Sequence, residues 1–150
     1  IWKGHNFQGG ELGHAILYPN GRKCSCGQYG CAEQYVSGPA IEKLYYEQTG
    51  AKKSGKEIFR LCNIDDNAQL IVNNFAENLA IYISSLKNIF DPEGIIIGGG
   101  VIDSREYWWD KMINNYLKYV NDSQGMKIVS ALYLNDAGMI GAGKLVFDFH

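Results

Sequence analysis

The chain has 150 residues, 46% of them apolar and 20% charged, with 14 basic against 16 acidic side chains and a net charge of −2. That is the composition of a folded domain, or of one lobe of something larger; it excludes a disordered chain and lacks the basic excess of a general nucleic-acid binder. Its apolar runs fall far short of the ~20 residues that cross a bilayer, and no secretory signal is visible, so no membrane partner and a cytoplasmic location are expected.

Residues 1–13 carry four glycines and read as a loop. His14 to Tyr18 reads as a short strand stopped by the turn Pro19-Asn20-Gly21. Gly38-Pro39 opens a helix, since proline suits the first helical position, with Ile41, Leu44 and Tyr45 on its apolar face and Gly50 as its stop. Lys52 to Lys56 is polar and expected to be exposed, and Ile58, Phe59, Leu61 and Cys62 give a short helix. Asp65 or Asp66 can cap the next helix, whose stripe of Ala68, Val72, Phe75, Leu79, Ile83, Leu86 and Phe90 keeps the helical period up to Pro92.

Ile95 to Ile97 is a β-branched run expected to be a strand buried on both faces, closed by Gly98-Gly99-Gly100. Tyr107 to Val120 is an amphipathic helix with Trp108, Met112, Asn115 and Tyr119 along one side. Lys127 to Leu134 is strand-like, and Ala137 to Phe147 is a helix of small residues. The alternation of helices and strands predicts an α/β fold with a sheet covered by helices.

Four cysteines stand at positions 24, 26, 31 and 62. Three fall within eight residues, Cys24-Ser25-Cys26-Gly27-Gln28-Tyr29-Gly30-Cys31. A chain with a core of this size needs no disulfide scaffold, and the crowding suggests a metal site short of one ligand. His14 supplies it if the turn at Pro19 brings the chain back beside Cys24. Three thiolates and one imidazole make a closed tetrahedral zinc site, and soft sulfur donors favour zinc over magnesium or calcium. The competing reading is three small buried residues in a loop with reactive thiols. His5 and His150 are other histidines without supporting spacing. Cys62 lies on an apolar helical stripe and reads as a small hydrophobe.

A closed site leaves no position for a reacting water, so the metal would fix loop geometry. Glu11 and Glu33 flank it, three residues before His14 and two after Cys31. They suit the capture of hydroxyl groups, and the spacing equally allows two solvated surface charges. Gly98-Gly99-Gly100 fits contact with a nucleotide, or any tight turn. Read as a dinucleotide fingerprint it would put Asp103 in place of the third glycine, and no phosphate-loop motif with Lys-Ser or Lys-Thr is present.

Glu11-Leu12-Gly13-His14, the cysteine run ending Cys31-Ala32-Glu33, and Ser37-Gly38-Pro39-Ala40-Ile41 match the patterns ExGH, CxCGxxGCxE and SGxAI in order and spacing. Here the chain resembles the ROK family of sugar kinases and sugar-responsive repressors. Asp91-Pro92-Glu93-Gly94 through Gly100 resembles that family's strand and glycine turn, and Ala137 to Gly143 its last helix.

The resemblance implies the C-terminal lobe of an actin-like ATPase (ribonuclease H-like) fold, a mixed sheet covered by helices, with a zinc loop within residues 14–31. It implies His14, Cys24, Cys26 and Cys31 as structural zinc ligands, Glu11, His14 and Glu33 as sugar-binding residues, and Gly98, Gly99 and Gly100 against the nucleotide. His14 can serve twice because its two ring nitrogens are distinct.

The family's DxGxT phosphate loop, its general-base aspartate and its first glycine-rich hairpin are not among residues 1–150, and the chain opens on Ile1, so an incomplete lobe of a longer product is expected. Asp65-Asp66-Asn67-Ala68 and Asn135-Asp136-Ala137 are superficially like the catalytic motif but lie downstream of the zinc loop. The expected activity is glucokinase-like transfer of phosphate from ATP, with magnesium, to a hexose or N-acetylhexosamine by the full-length protein, residues 1–150 alone being inactive. A homodimer is expected, as is general in the family. The alternative is the effector-binding lobe of a sugar-responsive repressor, in which case nucleic acid is also a partner.

Overall fold

The structure is a computed structural model that describes residues 4–122 and 125–148. Within them the helices are α1 (Glu33–Val36), α2 (Gly38–Thr49), α3 (Gly55–Leu61), α4 (Asp66–Phe90), α5 (Trp109–Tyr119) and α6 (Ala137–Asp148). The strands are β1 (Gly94–Ile97), between α4 and α5, and β2 (Lys127–Ser130), between α5 and α6. Short 3-10 turns lie at Leu12–His14, Ile102–Tyr107 and Leu134–Asp136.

The central element is α4, whose 25 residues make a rod of about 38 Å. Asp65 starts it from extended backbone, accepting the N–H of Ala68 at 3.0 Å. The Tyr45 hydroxyl donates to the other oxygen of the same carboxylate at 2.6 Å, so one side chain caps α4 and ties α2 to it. These bonds, Tyr45's first, hold the Asp65 carboxyl below the usual aspartate range. Asp91, at φ +42°, ends the helix and Pro92 prevents its continuation.

Ile71, Val72, Phe75, Ala76, Leu79, Ala80 and Ile83 form the buried stripe of α4, and α1, α2, α3 and α5 pack around the rod. Phe75 meets Phe59 of α3 edge-on at 5.6 Å and Trp108 at 5.3 Å. Trp108 is fully buried and satisfies its indole N–H on the Val101 carbonyl at 3.2 Å. Cys62 is buried in this core, as the sequence suggests for a small hydrophobe.

Several boundaries differ from the sequence expectation. Residues 102–107 form a 3-10 turn, so α5 begins at Trp109. Its buried side follows Trp108, Met112 and Tyr116, each four residues on. Tyr119 falls off that face and donates its hydroxyl to Glu77. Strand β2 stops at Ser130 instead of reaching Leu134, whose φ of +47° belongs to a turn. His14 to Tyr18 is not a strand: its pairing is the single antiparallel bridge Ile16–Cys31.

Strands β1 and β2 pair in parallel, from Gly94 opposite Lys127 to Ile97 opposite Ser130, with α5 in the connection. Ile95 and Ile97 lean on the core, but Ile96 is 72% exposed, so β1 is not buried on both faces. Among the described residues helices cover one face of this pair. Helix α6 packs against the Leu134–Asp136 turn and leaves Met139, Leu145 and Phe147 exposed.

Phe75→Ala removes the ring that joins α3, α4 and the start of α5, and should cost about 3–5 kcal/mol in urea unfolding. Asp65 carries a pH signature. Its folded value lies below its unfolded value, so its contribution is complete above the ordinary aspartate pKa of about 3.9 and is lost as pH falls through the depressed folded value. Asp65→Asn should therefore lower the melting temperature near neutral pH and flatten its fall as pH drops below the ordinary aspartate pKa of about 3.9. An equally steep acid fall in the variant would contradict this role.

Candidate metal centre

Residues 11–33 form a closed loop laid against α4. The Leu12–His14 turn puts His14 half-buried at its end, and Ala15 donates back to Leu12 at 3.0 Å. Tyr82 of α4 donates its hydroxyl to the Leu12 carbonyl, anchoring this turn from below. The chain then reverses through Pro19 and Asn20, the latter at φ +60°, with Gly21 bonded to Tyr18 at 3.0 Å. It returns along itself through Leu17 to Gly30 (2.8 Å) and Ala32 to Ala15 (2.9 Å). Gly30 must be glycine: its φ is +82°, and a Cβ there would overlap the Tyr18 carbonyl.

This reversal brings His14 beside the cysteines. The ligand atoms of His14, Cys24, Cys26 and Cys31 all lie within 4.8 Å of one another. His14 Nδ1 is 3.7 Å from Cys24 Sγ, and Cys26 Sγ is 3.6 Å from Cys31 Sγ. A tetrahedron with Zn–S bonds of about 2.3 Å has ligand-to-ligand edges of roughly 3.8 Å. The donor set and its spacing therefore fit zinc. His5 lies in the exposed loop outside this group, and His150 lies outside the described residues.

The electrostatics point the same way. The Cys26 backbone N–H, aimed at the Cys24 sulfur, brings that thiol down to about 6, with smaller contributions from the Cys26, Cys31 and Ser25 side chains against the cost of burial. Burial first, then the neighbouring Cys26 and Cys24 sulfurs, pushes Cys31 up to about 12. Three sulfurs this close cannot all carry charge unaided; a divalent cation supplies the field that lets them. Gln34 donates its amide to Cys24 Sγ at 3.6 Å, a contact no spacing rule announces.

Glu33 opens α1, exposed, with Oε2 at 3.8 Å from Cys24 Sγ. Gly13 lies against it: a Cβ on Gly13 would sit 3.7 Å from that of Glu33. Glu11 is the exposed residue preceding the Leu12–His14 turn. Glu11, His14 and Glu33 thus belong to one small region, with His14 Nδ1 on the sulfur side. Arg22 braces the loop's far end, its backbone N–H bonded to the Tyr35 hydroxyl at 2.8 Å and its guanidinium to the Gln34 carbonyl at 3.0 Å.

Gly98, Gly99 and Gly100 are exposed at the C-terminal end of β1 and belong to a different surface. Gly98 lies against Ala131, and Gly100 faces the Asn135 side chain. The start of α2 approaches the same turn, since Gly38 lies beside Val101. An open cavity of about 330 Å³ next to it is lined in part by Asp103, Asn135 and Asp136. No helix among the described residues is long and apolar enough to cross a membrane.

Comparison with known proteins gives a match to the ROK family model over residues 1–148. The N-acetylmannosamine kinase of Haemophilus influenzae (strain PittGG) is 35% identical, covering 93% of this chain and 46% of its own. The crystal structure of a ROK hexokinase from Thermus thermophilus superposes with a TM-score of 0.87 at 33% identity, over 95% of this chain and 50% of that one. A ROK-family transcriptional regulator, a homologue of the Escherichia coli MLC protein, gives a TM-score of 0.76 at 27% identity, over 95% of this chain and 39% of that one. The chain spans about half the length of the curated relatives it matches. With its α/β architecture, its parallel strand pair and its Cys3His cluster, the chain belongs to the ROK family and has the actin-like ATPase fold of that family's C-terminal lobe.

Proposed function

We propose that this chain is the zinc- and sugar-binding part of a ROK sugar kinase that transfers the γ-phosphoryl group of ATP to a hexose or N-acetylhexosamine. The observation that carries the reading is the closure of His14 onto three cysteines, with Glu33 two residues beyond the last of them. His14, Cys24, Cys26 and Cys31 hold the zinc, which supplies structure and charge compensation and no reacting ligand position. Glu11 and Glu33 accept hydrogen bonds from sugar hydroxyls, and the His14 ring nitrogen turned away from the sulfurs completes the set. The tether from Tyr82 to Leu12 keeps these groups oriented before the sugar arrives.

The nucleotide lies against Gly98–Gly100, where the absence of side chains permits close backbone approach. In this reading residues 1–150 are an incomplete C-terminal domain. The DxGxT loop, the general base that takes the hydroxyl proton and the first glycine-rich hairpin belong to the other half of the relatives' length, together with the magnesium-bridged phosphates. Transfer then depends on positioning and charge stabilisation between the two halves, so residues 1–150 alone are inactive. A cytoplasmic homodimer is part of the same reading.

The similarity to a ROK transcriptional regulator favours a second reading, the effector-binding lobe of a sugar-responsive repressor. The sequence upstream of Ile1 decides: a DxGxT loop and general-base aspartate mark the kinase, a basic helix-turn-helix the repressor.

Protein purified without chelator should contain one zinc per chain by elemental analysis. Cys26→Ser should lose it and Cys62→Ser, altered in the core, should keep it; a metal-free parent protein would refute the site. In the intact protein Glu33→Gln should weaken sugar binding about ten- to a hundredfold, the worth of one charged hydrogen bond at about 1.4 kcal/mol per decade. Zinc content and ATP affinity should be unchanged. Calorimetric titration showing parental sugar affinity would make Glu33 a surface charge.

A further inference from the structure

We propose that Cys26 and Cys31 form an oxidisable pair, a modification site at which a hydroperoxide converts the two thiolates to a disulfide and expels the metal. The proposal rests on the zinc reading of this loop and adds to it a chemical control of the same site.

The four cysteine sulfurs are not equivalent. Cys26 is exposed, whereas Cys24, Cys31 and Cys62 are 3%, 0% and 2% exposed. Among the cysteines, access therefore selects Cys26 as the thiol that meets a soluble oxidant. Its Sγ lies 3.6 Å from that of Cys31. Reaching the disulfide length of about 2.0 Å needs an approach of about 1.6 Å. The ring to be closed spans residues 26–31, and glycines at φ +93° (Gly27) and +82° (Gly30) already fold it back on itself.

Cys24 shares the cage but is engaged by other groups, and Cys62 lies apart from it. Cys24 is surrounded by His14 Nδ1 at 3.7 Å, Gln34 Nε2 at 3.6 Å and Glu33 Oε2 at 3.8 Å. Cys62 lies in the apolar core with its sulfur against Asn63. Cys31 is fixed by the bridge to Ile16 and by the neighbouring Ala32-to-Ala15 bond, so Cys26 is the partner that moves.

The steps balance. The Cys26 thiolate attacks the peroxide O–O bond, takes one oxygen as sulfenic acid and releases alkoxide, or hydroxide from hydrogen peroxide. The Cys31 thiolate then attacks the sulfenic sulfur and hydroxide leaves. In sum two thiolates lose two electrons, one peroxide gains them, and two protons complete two waters when the oxidant is hydrogen peroxide. Only His14 and Cys24 are left to the metal, half the coordination that zinc requires.

The test uses the intact, zinc-loaded protein and hydrogen peroxide. Zinc release is followed with a chromogenic chelator, thiols are counted after denaturation, and disulfides are mapped by peptide mass spectrometry. One zinc should leave per chain, with two thiols of this segment consumed and a Cys26–Cys31 cross-link recovered. Dithiothreitol plus zinc should reverse all three changes, and Cys62→Ser should behave as the parent. Retention of zinc under peroxide, a cross-link made through Cys24, or oxidation of Cys26 without a cross-link would each overturn the proposal. Zinc content before treatment tests the metal reading separately: if it is zero, that reading fails, and the disulfide map still judges the pair.

Discussion

Helix α4 serves two structures at once. Its buried stripe, centred on Phe75, gathers α1, α2, α3 and α5 into one core. Its other side meets the cysteine loop, where Tyr82 holds the Leu12 carbonyl and Asn78 accepts the Tyr18 hydroxyl at 2.6 Å. Within the loop Cys24, Cys31 and Ala32 are buried, whereas Ile16 and Tyr29 are exposed. Its order comes from turns, from backbone bonds across the reversal and from these hydroxyl tethers.

Within that frame the cysteine cluster is a problem in charge. The Cys24 thiol is inclined to ionise and the Cys31 thiol resists, although both belong to one small cage. A cage that opposes its own full ionisation becomes stable when a cation enters it. Glu11 and Glu33 are exposed at its margin, Glu33 with Oε2 only 3.8 Å from Cys24 Sγ. In the proposed reading the sulfurs and His14 take the metal while the exposed carboxylates take the sugar.

Much of this was legible in the sequence because local chemistry governed it. Asp65 as a cap, Pro39 as a helix opener and the crowding of cysteines at 24, 26 and 31 depend on neighbours a few residues away. His14 was legible because the Pro19-Asn20-Gly21 turn implies a reversal. Cys62 was assigned to the core from its stripe alone. The capping box of Ser54 and Glu57, which starts α3 at Gly55, also lies open in the sequence, though Ile58, Phe59, Leu61 and Cys62 draw attention past it. What depends on distant partners was not legible. Nothing near Tyr82 or Gln34 signals their roles, which arise when α4 and α1 meet the loop. Ile96 reads as buried from its neighbours, yet its exposure depends on how many layers the sheet has.

The tethering of the loop has a kinetic side. A segment fixed by side-chain bonds to a rod, and by turns to itself, opens as a unit of its own while the rod stays folded. In the proposed zinc-bound form, uptake and exchange of the metal would follow the frequency of that local opening. Exchange of the proposed zinc would then be set by the loop, and would not require the core around Phe75 to unfold.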